Sequence, residues 1–209
     1  MKNMMHIPLL EDGDNMEKAL ELGGARFDVC QVNWPDSFPY APIVAGRIGH
    51  TKDALWVSWR VSGLGLTVQN EDDGNIWEDS CCEIFLKDPA CPDYYNIEVN
   101  AAGYLLVGKG PDRHNRVRLP LDEIARIHRI ATVQAPVDNA DVLLGWSLTV
   151  AIPFNLIGLD PENLPARLEG NIYKCGDKTA HPHFLSWSPV GTPKPDFHRP
   201  DFFGDFLLD

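Results

Sequence analysis

Two glutamates occupy neighbouring segments with strand-like alternation, Glu83 in C-C-E-I-F-L and Glu98 in Y-N-I-E-V-N. Successive side chains of a β-strand point to opposite faces, so Glu83 shares a face with Trp77, six residues earlier. By the same alternation, Asn96 and Asn100 share a face with Glu98. If the two segments pair as a hairpin, both polar sets lie on the same side of one sheet. The sequence therefore predicts a patch that combines an indole ring, carboxylates and amides.

This combination of side chains suits sugar chemistry of two kinds. Carboxylates and amides hydrogen-bond adjacent hydroxyl groups, and an indole covers the apolar C–H face of a pyranose ring. A carboxylate pair can also hydrolyse a glycosidic bond when the two groups flank it, about 5 Å apart for retention or roughly 6.5–9.5 Å apart for inversion.

Binding is favoured over hydrolysis, because the pattern indicates a flat sheet face for Glu83 and Glu98. A catalytic acid needs an apolar pocket that raises its pKa, and the sequence shows no sign of one. We therefore predict non-catalytic binding of a neutral oligosaccharide. The alternatives are a glycoside hydrolase that uses Glu83 and Glu98, and a structural or interaction protein that has lost sugar binding. A solvated sheet face with one stray aromatic residue is the plainest explanation of the pattern.

The chain is acidic, with 30 Asp and Glu against 18 Lys and Arg in 209 residues and a formal net charge of -12. Nucleic acids and anionic membranes are bound through Lys and Arg, so the charge argues against both as partners. No apolar run approaches the roughly 18 residues of a membrane helix, and the N-terminus shows no secretion signal. The chain as written is therefore expected in the cytoplasm, or outside it if a signal has been removed.

The five cysteines make a poor disulfide framework, because their number is odd and their spacing irregular. We expect five free thiols. Cys81 and Cys82 are neighbours on a predicted strand, so their side chains point to opposite faces and cannot easily share a metal ion. Both are expected to fill space as small apolar residues.

The sequence predicts no cofactor, although a structural calcium ion is conceivable. A hard cation needs several oxygen ligands, and four carboxylates stand close together in the sequence, at Glu71, Asp72, Asp73 and Asp79. The same stretch, E-D-D-G-N, is equally a good turn sequence without a metal. The late histidines lack carboxylate or cysteine partners at a recognised spacing, so we expect them to be structural. They are His181, His183 and His198.

Short strands separated by turn residues dominate the rest of the chain, a pattern typical of an antiparallel sandwich. We predict one all-β domain over residues 1–209, with jelly-roll or immunoglobulin-like layers and with Trp59 and Trp146 in its core. Residues 170–209 lack a regular period and are predicted to wrap the sandwich as a long loop before a final strand at 203–208. Other predicted strands are 54–61, the two glutamate segments, 104–107, 130–135 and 144–152; helical segments are 15–22 and 121–127, with a turn at 153–157.

Longer motifs extend over most of the chain: N-W-P at 33–35, F-P-Y-A-P at 38–42, W-E-D-S-C-C-E-I-F at 77–85, Y-Y-N-I-E-V-N-A-A-G at 94–103, and the late N-I-Y-K-C-G-D, L-S-W-S-P and P-D-F-H-R-P-D-F-F-G. Together they resemble the carbohydrate-binding modules of family 9, especially the stand-alone forms of gut bacteria. The resemblance implies a β-sandwich that binds carbohydrate. It also implies a glycan-degrading enzyme as partner, acting on polysaccharides such as xylan or cellulose.

The resemblance further implies a ligand site. In sugar-binding members of the family, two tryptophans clamp a terminal sugar, and a glutamate six residues after the first accepts its hydroxyl groups. Trp77 and Glu83 have this spacing, and Trp187 is similar in placement to the second tryptophan. Phe184 stands where the family pattern has an amide. Arg113 and Arg116, in a loop, could donate to hydroxyls or be ordinary solvated arginines. The predicted ligand set is Trp77, Glu83, Asn96, Glu98, Asn100, Arg113 and Trp187.

Overall fold

The computed structural model describes residues 2–133 and 142–209, and in this part strands far outnumber helices. The helices are α1 (Met16–Gly23) and the one-turn α2 (Leu121–Ile124), with 3-10 turns at Ile76–Glu78, Phe154–Ile157 and Pro200–Phe202. None of the helices described is long and apolar enough to cross a membrane. The strands are β1 (Met4–Ile7), β2 (Ala25–Asp28), β3 (Gln31–Val32), β4 (Ile43–His50), β5 (Ala54–Leu64), β6 (Cys81–Lys87), β7 (Tyr94–Asn100), β8 (Leu105–Gly110), β9 (Val117–Arg118), β10 (His128–Val133), β11 (Leu143–Pro153), β12 (Arg167–Cys175), β13 (Phe184–Ser186) and β14 (Gly204–Leu208).

These strands assemble into two sheets. The larger sheet has the order β1-β14-β12-β6-β7-β8-β9, and β13 joins it by pairing with β12 and β3. The smaller sheet has the order β10-β11-β5-β4-β2. Pairing between the described strands is antiparallel, except that β1 runs parallel to β14. The predicted all-β antiparallel sandwich is confirmed.

Apolar side chains from both sheets form the core of the sandwich. Strand β5 has the predicted alternation, and Leu55, Val57 and Trp59 all point into this core. Trp146 of β11 joins them from the neighbouring strand, and Ile84 of β6 comes from the larger sheet. The prediction that Trp59 and Trp146 are core residues is confirmed.

The prediction of an irregular loop over residues 170–209 was wrong in its first part. These residues begin within β12, a central strand of the larger sheet between β14 and β6. The last six residues of β12 are all buried, so the segment lacks the polar positions that reveal alternation. Strand β10 ends at Val133, and the last two residues of the predicted strand 130–135 lie outside the described residues.

Residues 176–203, here called the C-terminal wrap, include the short strand β13 and cover part of the outer face of the larger sheet, in line with the predicted wrapping segment. Phe197 of the wrap stacks on Tyr173 of β12, with ring centroids 4.1 Å apart. Phe203 packs edge-on against Phe85 of β6 at 6.2 Å. Trp34, from the loop after β3, donates its indole N–H to the carbonyl of Thr192 at 2.6 Å. The larger sheet is therefore covered on both faces, by the smaller sheet and by the wrap.

Asp79 fixes the loop that precedes β6. Its buried carboxylate accepts hydrogen bonds from the backbone N–H groups of Gln69 and Asn70, both at 3.0 Å. The side-chain amides of Asn70 and Asn100 also donate to it, at 3.1 and 2.9 Å. Since the 3-10 turn Ile76–Glu78 directly precedes Asp79, these four bonds also set the position of that turn.

Replacing Asp79 by alanine should lower the free energy of unfolding by about 3 kcal/mol, because four N–H donors, among them the buried side-chain amide of Asn100, lose a charged acceptor. Urea denaturation followed by tryptophan fluorescence measures this change. Asp36→Ala is the matched control, since Asp36 is exposed, and its effect should stay within about 0.5 kcal/mol. Equal stabilities of the two variants would contradict the role assigned to Asp79.

Candidate functional site

A cavity of about 420 Å³ lies between the larger sheet and the C-terminal wrap. Side chains from β6, β7 and β12 form its floor, and the 3-10 turn before β6, the β8–β9 loop and the wrap form its walls. The volume is within the range of roughly 300–1,000 Å³ that is typical of small-molecule sites. The lining residues are Trp77, Glu83, Glu98, Arg113, Arg116, Cys175, Asp177, Phe184, Pro195, Asp196, Phe197 and His198.

Two buried glutamates form the centre of the floor. Glu83 and Glu98 are register partners on β6 and β7, so they project from the same face of the sheet, as predicted. Only 3% of Glu83 and 2% of Glu98 is exposed, which overturns the predicted flat, open face. Cys175 Sγ donates to Glu83 Oε1 at 2.9 Å, and Asn96 Nδ2 donates to Glu98 Oε1 at 2.8 Å. Within the described residues, Glu98 Oε2 has no hydrogen-bond partner.

Burial disfavours the ionised form of both glutamates. It raises the pKa of Glu83 from 4.5 to about 7. It also raises the pKa of Glu98 well above 4.5, and the charge of Glu83 adds to that effect. Burial, followed by the nearby arginines, lowers the pKa of His198 to about 2, so its imidazole is neutral. The floor therefore carries little net charge near neutral pH, and its carboxyl groups can donate as well as accept hydrogen bonds.

Trp77 forms one wall of the cavity. It lies in the 3-10 turn before β6 and is half-buried, and its carbonyl accepts the backbone N–H of Asp177 at 3.2 Å. The guanidinium of Arg118 lies over the indole, 6.0 Å from the ring centroid. Phe184 and Phe197 of the wrap contribute further aromatic surface to the cavity.

The two arginines of the cavity already have acidic neighbours. Arg116 donates to Asn96 Oδ1 at 2.7 Å and lies 4.0 Å from Glu98 Oε1. Arg113 lies 3.9 Å from a carboxylate oxygen of Asp196. Since the carboxylates of Asp177 and Asp196 line the cavity together with the two arginines, positive and negative charges are balanced there, and the cavity suits an uncharged ligand that can form several hydrogen bonds.

The sequence matches the family model described as carbohydrate-binding family 9 over residues 15–208. The chain belongs to carbohydrate-binding family 9. This confirms the family resemblance that the motifs indicated. A search of curated proteins gave no significant match.

Three solved structures share the family-9 fold seen here. A Bacteroides uniformis protein, provisionally described as carbohydrate-binding, is 30% identical, with a TM-score of 0.87 and 100% of both chains covered. A family-9 module from Caldicellulosiruptor kristjanssonii in complex with glucose is 12% identical, with a TM-score of 0.63 over 99% of this chain and 96% of that chain. The complex of a family-9 module from the same organism with cellotriose is also 12% identical, with a TM-score of 0.65 and coverages of 99% and 93%.

In this family-9 chain the predicted clamp between Trp77 and Trp187 is not formed. Trp187 is only 8% exposed, belongs to the core between the sheets and does not line the cavity. Its ring centroid lies 5.2 Å from that of Phe206. Phe184 lies on the cavity side, and a residue three positions later in extended chain points the other way. Trp187 therefore shares the inward face with Leu185.

The two predicted asparagines do not line the cavity either. Asn96 is buried beneath it and connects Glu98 with Arg116 through the two hydrogen bonds given above. Asn100 is also buried and donates to Asp79, and its Oδ1 accepts the backbone N–H groups of residues 102 and 104. Both amides thus stabilise the surroundings of the site rather than its surface.

The structure brings together four of the seven predicted ligand residues, Trp77, Glu83, Glu98 and Arg113. The sequence analysis missed the contribution of the wrap. The motif P-D-F-H-R-P was noticed for its family resemblance, but no local periodicity indicated which sheet face it would cover. The missed lining residues from the last 35 positions of the chain are Cys175, Asp177, Pro195, Asp196, Phe197 and His198.

Three of the four carboxylates considered for calcium are engaged within the protein. Asp72 accepts two hydrogen bonds from Arg129, at 2.8 and 2.7 Å. Asp73 pairs with Arg118 at 3.2 Å, and Asp79 accepts the four bonds described above. These contacts give the acidic stretch a structural role, and the calcium site stays a prediction.

The five cysteines all lie in described residues and are free thiols. As the alternation predicted, Cys82 points into the sandwich core, whereas Cys81 points to the outer face. Cys81 and Cys82 were expected to fill space as small apolar residues, and both are buried. The sulfur atoms of Cys81 and Cys175 and a carboxylate oxygen of Glu83 lie within 4.8 Å of one another.

Glu98→Gln should stabilise the protein increasingly as the pH rises from 4.5. The raised pKa of Glu98 means that, in this window, the unfolded chain loses a proton that the folded chain retains. Rising pH therefore favours unfolding of the wild type by up to about 1.4 kcal/mol per pH unit. Glutamine has the same size and no charge, so it removes this dependence.

The measurement is the difference in free energy of unfolding between variant and wild type, from urea titrations in chelator at several pH values. A difference is needed because the neutral His183 and His198, with pKa values lowered by burial, change wild-type stability in the opposite direction. Glu11→Gln, at an exposed position, is the control and should show no trend. A Glu98→Gln difference that shrinks with pH would contradict the buried neutral carboxyl.

Proposed function

We propose that the chain binds the end of a neutral oligosaccharide in the cavity and does not cleave it. The observation that carries this proposal is the meeting of an aromatic wall with a buried carboxyl oxygen that has no hydrogen-bond partner in the described residues: Trp77 stands beside a floor that contains Glu98 Oε2. A pyranose has an apolar C–H face for the indole and hydroxyls for the carboxyl groups. Family membership supports this function, and the family-9 complexes with glucose and cellotriose favour a glucose-based ligand.

The position of the floor favours binding at a chain end. Because the strands of the larger sheet close the cavity below, an oligosaccharide would enter with its terminal residue first. Glu83 and Glu98 would form hydrogen bonds with hydroxyls of this residue, as donors or acceptors, while Arg116 would donate to an oxygen atom. Trp77 would stack on the ring, and Phe184 would enclose it from the side of the wrap.

The placement of the glutamates argues against hydrolysis. The sequence indicated neither a pocket nor carboxyl groups with raised pKa values, and the structure has both. Both features are compatible with a catalytic acid. However, glycosidases place their two carboxyl groups on opposite sides of the scissile bond. Glu83 and Glu98 are direct neighbours on one floor and are almost fully buried. We therefore propose a binding module whose partner, a glycan-degrading enzyme, performs the cleavage.

Trp77→Ala should weaken oligosaccharide binding about tenfold or more, equal to ~1.4 kcal/mol, because the stacking surface is lost. Stacking plus a few hydrogen bonds, offset by association entropy, suggests a wild-type Kd of roughly 10 µM to 1 mM. Calorimetric titration against gluco-, xylo- and galacto-oligosaccharides measures both values. Trp56→Ala is the matched control, since Trp56 is a half-buried tryptophan of β5 in the other sheet. Binding that is lost in Trp56→Ala and retained in Trp77→Ala would place the site elsewhere.

Glu83→Gln should weaken binding without changing any release of reducing sugar, because none is expected from the wild type. The carboxyl group of glutamate and the amide group of glutamine have nearly the same size, so the fold should be retained. Circular dichroism can verify this. Incubation of wild type and variant with the same oligosaccharide panel, followed by a reducing-end assay, measures turnover. Cleavage by the wild type that disappears in Glu83→Gln would make the hydrolase alternative correct.

A further inference from the structure

Two cysteines and a glutamate converge at the edge of the cavity floor. Cys81 of β6 and Cys175 of β12 are register partners, so their side chains lie side by side on the outer face of the larger sheet. Glu83 follows Cys81 by two residues and points to the same face. The two sulfur atoms and a carboxylate oxygen all lie within 4.8 Å of one another, and all three side chains are buried. This is a cluster of three potential ligands on two rigid, central strands.

The ligand types and their spacing suit a borderline-soft divalent cation. Thiolate sulfur favours zinc and related transition metals over calcium or magnesium, which prefer oxygen. In tetrahedral zinc sites the ligands lie about 2.0–2.3 Å from the metal, which places ligand atoms roughly 3.3–3.8 Å from each other. The three potential ligand atoms lie no more than 4.8 Å from one another, which is about 1 Å beyond this spacing. Cys175 Sγ already lies 2.9 Å from Glu83 Oε1. Small side-chain rotations would complete three coordination positions.

We propose that Cys81, Glu83 and Cys175 form a binding site for a thiophilic divalent cation such as Zn²⁺. Glu83 and Cys175 line the cavity, so a cation can reach the cluster from the cavity. The fourth position of a tetrahedral ion would face the cavity, where water or another small ligand can occupy it. The proposal is independent of sugar binding, because it depends only on the three ligands and their access to solvent.

The surrounding charges support cation binding with ionised ligands. Two thiolates, one carboxylate and Zn²⁺ sum to one negative charge, which burial makes unfavourable unless positive groups lie nearby. Arg113 and Arg116 line the same cavity, and their positive charges act on Glu83. The excess negative charge of the metal site would therefore lie beside two cations.

Cobalt titration of the reduced, tag-free, metal-stripped protein tests the proposal. Co²⁺ replaces Zn²⁺ in thiolate sites and adds a sulfur-to-cobalt charge-transfer absorption. We expect one Co²⁺ per chain, with an absorption that Zn²⁺ abolishes by displacement. Cys81→Ser and Cys175→Ser should each weaken cobalt binding on the order of tenfold or more and reduce the charge-transfer intensity.

The controls separate a metal site from a general effect of cysteine substitution. Cys82→Ser changes an equally buried residue on the opposite face of β6 and should leave cobalt binding unchanged. Circular dichroism reports whether each serine variant is folded. If either cluster variant fails to fold, Glu83→Gln replaces it: this variant keeps both sulfurs, so cobalt should bind more weakly but with the sulfur absorption intact at saturation.

Three results would overturn the proposal. One is a reduced wild type without charge-transfer absorption at excess Co²⁺. Another is a folded Cys81→Ser or Cys175→Ser variant with wild-type cobalt affinity. The third is a Cys81–Cys175 disulfide, found by peptide mapping of protein prepared in the presence of Zn²⁺, which would show that the pair is a redox-active dithiol.

Discussion

The larger sheet is covered on both of its faces, and the candidate site depends on this double burial. Ile84 and Ile172 pack into the core between the sheets, while Phe85 and Tyr173, their neighbours along the strands, pack under the C-terminal wrap. Burial of a polar group is unfavourable unless it is hydrogen-bonded, so each polar residue on these strands needs a partner within the protein. Asn96 and Asp79 show how completely such partners are provided.

The site lies where this outer layer leaves a gap. Over most of the sheet, aromatic rings of the wrap fill the space, as the stacking of Phe197 on Tyr173 illustrates. Above Glu83 and Glu98 the wrap does not fill it, and the floor of the resulting cavity contains a buried carboxyl oxygen that lacks a hydrogen-bond partner in the described residues. Rigid strands hold this floor, so a ligand would meet groups that are already in position, which reduces the entropic cost of binding.

Glu83 connects the two kinds of chemistry that we propose for the cavity. Glu83 is the register partner of Glu98 on β7, and these two residues form the floor of the proposed sugar site. Along β6 and towards β12, Glu83 lies beside Cys81 and Cys175, and this side of the residue belongs to the thiol cluster. Cys81 and Cys82 are adjacent on β6 and point to opposite faces of the sheet. Cys81 lies on the outer face, where the cavity is, and Cys82 packs into the sandwich core.

The sequence by itself determined which face of its strand each residue occupies. Period-two alternation correctly placed Glu83 and Glu98 on the same face of the sheet, separated Cys81 from Cys82, and assigned Trp59 to the core. Burial was decided only in the tertiary structure: Glu83 and Glu98 looked exposed because nothing in residues 77–100 indicates that residues 176–203 cover them. Because β12 is also covered on both faces, its sequence has no alternation by which the strand could be detected. Trp187 packs into the core between the sheets, and it therefore does not face Trp77. Alternation is a local property of the backbone, whereas the layer that covers a sheet face is set by packing between segments about a hundred residues apart.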